Sequence, residues 1–170
     1  MTDVIRILGV DPGSRATGWG IIECAGSRLS FVEAGVVRPA ASLDRAAKLA
    51  VIFDGLRDVL TRLAPAEAAV EATFVNASPR DALVLGEARG IALLAPSVSG
   101  LPVAEYAANS IKKSVVGRGH AGKEQVQAMI KVLLPGAGAQ PADAADALAV
   151  AICHAHNRAL NSLKSIRRSA

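Results

Sequence analysis

The apolar residues of this chain recur with two different periods. Residues 5–10 form a nearly unbroken apolar run that stops at Asp11-Pro12-Gly13, and a second run, residues 19–24, follows a turn rich in Gly and Ser. Two strands joined by a tight connection account for this pattern. A third strand is predicted over Arg28–Val37, where Leu29, Phe31 and Val32 give way to Gly35, Val36 and Val37 with imperfect alternation. After Pro39 the period lengthens. Leu43, Ala46, Ala47, Ala50, Phe53, Leu56, Leu60 and Leu63 recur at helical spacing until Pro65 stops them. Residues 68–71 are short and apolar and read as a buried strand with the carboxylate of Glu71 at its end. Ser78, Pro79 and Asp81 then have the form of a helix start, with Ser as cap and Pro in the first turn, which predicts a second helix to about Ala95, ahead of Pro96. Residues 101–106 suit a fifth strand, and Ser110 is placed to cap a short helix reaching Val116. A Gly-rich loop at 117–122, a helix at 123–134, a linker at 137–141 and a last helix from Ala142 to about Leu160 complete the pattern. Hairpins early and strand–helix alternation later predict an α/β fold: a five-stranded mixed sheet with helices on both faces.

Composition narrows what such a fold can do. The chain has 170 residues, 51% hydrophobic and 20% charged, enough for one well-buried core. A single domain over residues 1–160 is expected, followed by a disordered basic tail at 161–170. Nineteen Lys and Arg against fifteen Asp and Glu give a net charge of +4, and because no acid follows Asp146 the excess lies at Arg158, Lys164, Arg167 and Arg168. That is too mild for an arm binding by charge alone. Trp19, Phe31, Phe53, Phe74 and Tyr106 are the only aromatic residues, so the core is aliphatic and an aromatic base-stacking platform is disfavoured. Cys24 and Cys153 lack paired spacing and read as small core residues. No stretch approaches the roughly eighteen apolar residues of a membrane span. Arg6 and Asp11 interrupt the first apolar run before it could serve as a signal segment, so a cytoplasmic protein without membrane contact is expected.

Four carboxylates stand out against this background. Asp11 ends the first buried strand and Glu71 the fourth, both beside Val, Ile and Ala, where an ionised side chain costs several kcal/mol unless it is paired. Asp143 and Asp146 are three apart, on one face at the start of the last helix. Taken singly, each has an ordinary structural explanation: an acid at a strand end is often a turn former, and a helix start favours carboxylates. Taken together, four acids with no His or Cys cluster suit hard, oxygen-preferring Mg²⁺ or Mn²⁺ rather than zinc. Ions held this way can activate water and stabilise both oxygens of an in-line phosphodiester displacement. Lys112, Lys113, Arg118, Lys123 and Lys131 surround the Gly-rich loop, and basic groups beside an acidic metal site can hold the flanking phosphates.

Five segments carry a family resemblance: GVDPGSRATGWG at 9–20, VEATF at 70–74, LGEARG at 85–90, VVGRGHAGKEQV at 115–126 and ADAADALA at 142–149. No single one is specific, but in this order and spacing the sequence closely resembles the RuvC family, resolvases of Holliday junctions within the RNase H-like superfamily. The resemblance implies an RNase H-like fold and junction cleavage by paired nicks on two like-polarity strands, in recombination and DNA repair. It carries catalytic and metal-binding roles onto Asp11, Glu71, Asp143 and Asp146, with two Mg²⁺ per subunit and Mn²⁺ able to substitute. It also implies a homodimer, four-way junction DNA as substrate, and the branch-migration proteins RuvA and RuvB as partners. Phe74 falls where such enzymes stack an aromatic ring on a junction base; the ordinary alternative is a core phenylalanine. Lys112 and Lys123 match positions near the DNA, and Arg118 and His120 lie in the same stretch. His120 has no partner at ligand spacing, so a phosphate contact suits it better than a metal. His154 and His156, one to three turns beyond Asp146, have a weaker claim on the site. Two positions depart from the family pattern: Ala72 stands for an expected Gln or Glu, which would weaken a hydrogen bond to the metal ligands, and Trp19 stands for a Tyr.

Two other readings are open to the residues alone. The segment Asp11-Pro12-Gly13-Ser14 is similar to the phosphate loop of actin-type and sugar-kinase ATPases, although those need a second half-domain and give Asp143 and Asp146 no role. A non-catalytic branched-DNA binding module would use the acids as caps and only the basic loop for contact.

Overall fold

The computed structural model describes residues 3–72 and 78–168. β1 (Val4–Asp11) and β2 (Thr17–Ala25) form an antiparallel pair, and β3 (Arg28–Val37) pairs antiparallel with β2. After α1 (Arg45–Leu63) the chain returns as β4 (Glu67–Ala72), parallel to β1, and after α2 (Pro79–Val98) as β5 (Val103–Ala107), parallel to β4. The sheet order is β3-β2-β1-β4-β5. Three helices follow: α3 (Ala108–Val116), α4 (Lys123–Leu133) and α5 (Ala142–Arg168). The mixed sheet with helices on both faces is the architecture expected from the apolar pattern.

The imperfect alternation of β3 has a structural cause. Ile21 pairs with Glu33 but Ile22 pairs with Phe31, so Val32 is an extra residue in the ladder. A bulge of one residue moves everything after it to the opposite face. Leu29 and Phe31 accordingly pack on one side of the sheet, Val32 on the other, and Ala34 back on the first.

Alternation along β1 sorts the core into two layers. Leu8 and Val10 face α1 and α2 with Ile52, Leu56, Ala88 and Ala92, whereas Ile7 faces α3, α4 and α5 with Ile111, Ile130, Leu148 and Ile152. Asp11, two residues beyond Gly9, therefore belongs to the α5 face, and so does Glu71, two residues beyond Ala69. α5 lies between the sheet and the α3–α4 pair, and from Ala147 to Cys153 every residue is buried. A helix covered on all sides must be apolar all round, which explains its run of Ala, Val, Leu and Ile.

Local signals decide most boundaries. Asp44 caps α1 by accepting the Ala47 N–H at 2.8 Å, and Ser78 caps α2 by accepting the Asp81 N–H at 3.2 Å. Three boundaries differ from the sequence reading. α2 continues through Pro96 to Val98: the ring is buried in the core, and the Pro96 carbonyl receives the Ser99 and Leu101 N–H groups. A proline this close to a helix end forfeits one backbone bond rather than a whole helix. Ser110 is not a cap, because α3 begins directly out of β5 at Ala108 and places Ser110 inside its first turn. α5 is helical to Arg168, beyond the expected end at about Leu160. Residues 161–168 contain neither Gly nor Pro and offer nothing to end a helix already propagating. No helix among the described residues is long and apolar enough to cross a membrane.

Candidate active site

The site forms where α5 begins against the ends of β1 and β4. Two glycines bring the helix there. A Cβ on Gly18 would lie 1.9 Å from the Asp143 carbonyl oxygen, and one on Gly9 would lie 2.1 Å from that of Ala147. No side chain fits in either place, so the α5 backbone rests directly on β1 and β2. Gly18 is the cross-strand partner of Asp11, which sets Asp143 beside Asp11. Beyond Asp11 the chain is tied down by Thr17, which is fully buried. Its hydroxyl donates to the Gly13 carbonyl at 2.8 Å and accepts the Gly13 N–H at 3.3 Å.

Asp11, Glu71, Asp143 and Asp146 all line one open cleft of about 340 Å³, together with Lys112 and Lys123. Ala108, Ile111, Val126 and Ala149 supply its apolar wall. Burial of the Asp11 carboxyl, followed by the charges of Glu71, Asp146 and Asp143, pushes its pKa from 3.8 up to about 8. Glu71 is raised by burial and by Asp146, against the opposing pull of Lys112, Lys123 and a hydrogen bond from Asp11. Asp146 is raised by burial in spite of Lys123, whose ammonium stands 3.8 Å away. Arg38, at the end of β3, donates to Asp143 Oδ2 at 3.3 Å. This is a cluster of repelling acids relieved only in part by the cations around it.

The donor set fits a hard divalent ion in kind, being entirely carboxylate oxygen. Among the described residues no three acid, His or Cys side chains already stand together as one ion's ligands. Asp143 is turned onto Arg38 and Asp146 onto Lys123, so both must leave a cation to take up a metal.

The remaining expected residues divide. Arg118 and His120 are exposed on the loop between α3 and α4 and do not line the cleft. Phe74 lies outside the described residues. His154 and His156 are engaged elsewhere. His154 Nε2 donates to Glu67 Oε2 at 2.8 Å, its Nδ1 accepts the Tyr106 hydroxyl at 2.9 Å, and His156 Nδ1 is 3.1 Å from the Ser114 hydroxyl. Glu67, on the opposite end of β4 from Glu71, also accepts from Arg158 Nε at 2.7 Å. Neither departure from the family pattern reaches the acids. Trp19 pairs with Val10 and packs in the α1–α2 layer, and Ala72 alternates onto the face opposite Glu71, so a longer side chain there would not share the acids' face. Sequence reasoning missed Arg38, which is 105 residues from its partner and outside every motif.

Comparison with known proteins points one way. The model of the family described as Crossover junction endodeoxyribonuclease RuvC matches residues 7–154. A protein of Methylocella silvestris named Crossover junction endodeoxyribonuclease RuvC is 58% identical over 159 residues, covering 94% of this chain and 90% of its own. One of the same name from Brucella anthropi is 54% identical over 168 residues, covering 99% and 96%. The structure of Thermus thermophilus RuvC in complex with Holliday junction substrate superposes with a TM-score of 0.86 at 30% identity, over 92% of this chain and 96% of that one.

Proposed function

This chain belongs to the RuvC family of crossover junction endodeoxyribonucleases, and from that premise we propose that it resolves four-way junctions with Asp11, Glu71, Asp143 and Asp146 as its catalytic, metal-holding set. The observation that carries the assignment is the shared cleft: acids from β1, β4 and α5 border one cavity, where burial and then the neighbouring carboxylates push the Asp11 pKa up to about 8. The ATPase half-domain and the non-catalytic module lose their footing, since family and fold match over nearly the whole chain.

Mg²⁺ is the proposed cofactor, two ions per subunit, with Mn²⁺ able to substitute. When bound, the ions supply Lewis acidity toward a phosphodiester and lower the pKa of water. The protein's own part is positional. β1 and β4 present Asp11 and Glu71 from rigid strand ends, and α5 presents Asp143 and Asp146 one helical turn apart. Lys112 and Lys123 border the same cleft and hold the phosphates on either side of the scissile link. Arg118 and His120, exposed on the adjoining loop, extend the phosphate contacts outward. Phe74 keeps the role that the family resemblance gives it, stacking on a base at the junction centre.

A homodimer completes the proposal, because a two-fold axis sets one cleft against each of two like-polarity strands and pairs the nicks. RuvA and RuvB are the expected branch-migration partners, and the cytoplasm the expected place of action. The test is cleavage of a synthetic four-way junction with Mg²⁺ and with EDTA, by wild type and Glu71→Gln. Paired, symmetric nicks that vanish with EDTA and with Glu71→Gln, while junction binding persists, are expected. Cutting that survives EDTA contradicts the assignment.

A further inference from the structure

We propose that Arg38 is a positioning residue of this centre: its guanidinium holds Asp143 in the metal-free protein and is released to a phosphate of the bound DNA strand when a divalent ion takes that carboxylate. The inference rests on the metal-site reading above. Arg38 follows Val37, the last residue of β3, and Val37 pairs with Thr17 at the start of β2. Gly18, the next residue, is the one against which the backbone of Asp143 packs. The end of β3 and the start of α5 are thereby neighbours at the rim of the cleft, and the guanidinium meets Asp143 Oδ2 at 3.3 Å. Pro39 restricts the Arg38 backbone to an extended course, which fixes the root of the side chain. The side chain itself is 59% exposed, which leaves the guanidinium room to turn.

Charge sets the direction of the exchange. With all four carboxylates ionised, Lys112, Lys123 and Arg38 leave the cluster one charge negative, and two divalent ions would turn it three charges positive. A guanidinium then gains by leaving Asp143 for an anion on the substrate side, where its planar fork matches two phosphate oxygens. Lys123 stands in the same relation to Asp146, but as a point charge without that fork.

The experiment is calorimetric titration of Mn²⁺ into the DNA-free wild type, Arg38→Ala, Arg38→Gln, Asp143→Asn and the Arg38→Ala/Asp143→Asn double variant. It is paired with binding of a synthetic four-way junction over a range of salt, with Ca²⁺ in place of Mg²⁺. An exposed ion pair shifts an equilibrium by roughly two- to fivefold. Arg38→Ala and Arg38→Gln are expected to bind Mn²⁺ more tightly by that factor, and the gain to disappear in the Asp143→Asn background. The salt slope of junction binding is expected to fall by about one. Unchanged Mn²⁺ affinity, or an unchanged salt slope, overturns the proposal. Asp143→Asn binding Mn²⁺ as well as wild type overturns the metal-site reading itself, and this proposal with it.

Discussion

Replacing Asp11 by Asn removes an ionisable group that the fold holds against three other acids. Burial and the charges of Glu71, Asp146 and Asp143 raise the Asp11 pKa from 3.8 to about 8, so between these values the folded chain carries a proton that the unfolded chain has lost. A raised folded value makes stability greatest below 3.8 and erodes it as pH climbs through 8, beyond which both states are ionised and the loss is complete. At neutral pH that cost is about 4 kcal/mol, at 1.36 kcal/mol per pH unit. The carboxamide of Asn is itself a polar group in a half-dry cleft, which takes back about half and leaves a gain of about 2 kcal/mol. For a chain of this size the melting temperature of Asp11→Asn should rise by about 4–8 °C. The assay is scanning calorimetry in EDTA, from about pH 5 to about pH 9, with the gap between variant and wild type widening until about pH 8 and then levelling. Adding Mg²⁺ should narrow the gap if, as proposed, the wild type holds the ion through Asp11 and the variant does not. A variant no more stable than wild type in EDTA at neutral pH, or a gap indifferent to pH, would refute the reasoning.

Other consequences are as direct. Gly18→Ala puts a methyl 1.9 Å from the Asp143 carbonyl and should displace the start of α5, abolishing cleavage and lowering stability by about 2 kcal/mol or more in a thermal melt. Glu67 is half-buried, yet hydrogen bonds from Arg158 and His154 hold its pKa below the ordinary 4.5, so its stabilising contribution is present above that value and lost as pH falls through the lowered one. Urea titrations should show Glu67→Gln weaker by about 1–2 kcal/mol near neutrality, with the difference shrinking in acid. Lys123→Ala should weaken junction binding and reduce its salt slope by about one, which filter binding across salt concentrations would measure.

The acids were legible in the sequence as a set rather than singly: Asp11 and Glu71 end apolar strands, and Asp143 and Asp146 stand one helical turn apart. What brings them together was not legible. The reason for the glycines at 9 and 18 is in each case a carbonyl more than a hundred residues away, on α5, which no local pattern reveals. Arg38 is hidden for the same reason, as a partner of Asp143 made by sheet order rather than by motif. The β3 bulge shows how one extra residue blurs a period that is regular on either side of Val32. Pro96 marks the opposite limit, where burial outweighs a local stop signal, and α5 runs on past about Leu160 because no such signal stands there.

The central claim is that Asp11, Glu71, Asp143 and Asp146 close around divalent ions. Anomalous diffraction from crystals soaked in Mn²⁺ tests it without relying on activity. Peaks within coordination distance of these carboxylates, with Asp143 drawn off Arg38, are expected. Mn²⁺ found only at other sites, with Asp143 and Asp146 still on Arg38 and Lys123, would contradict the account.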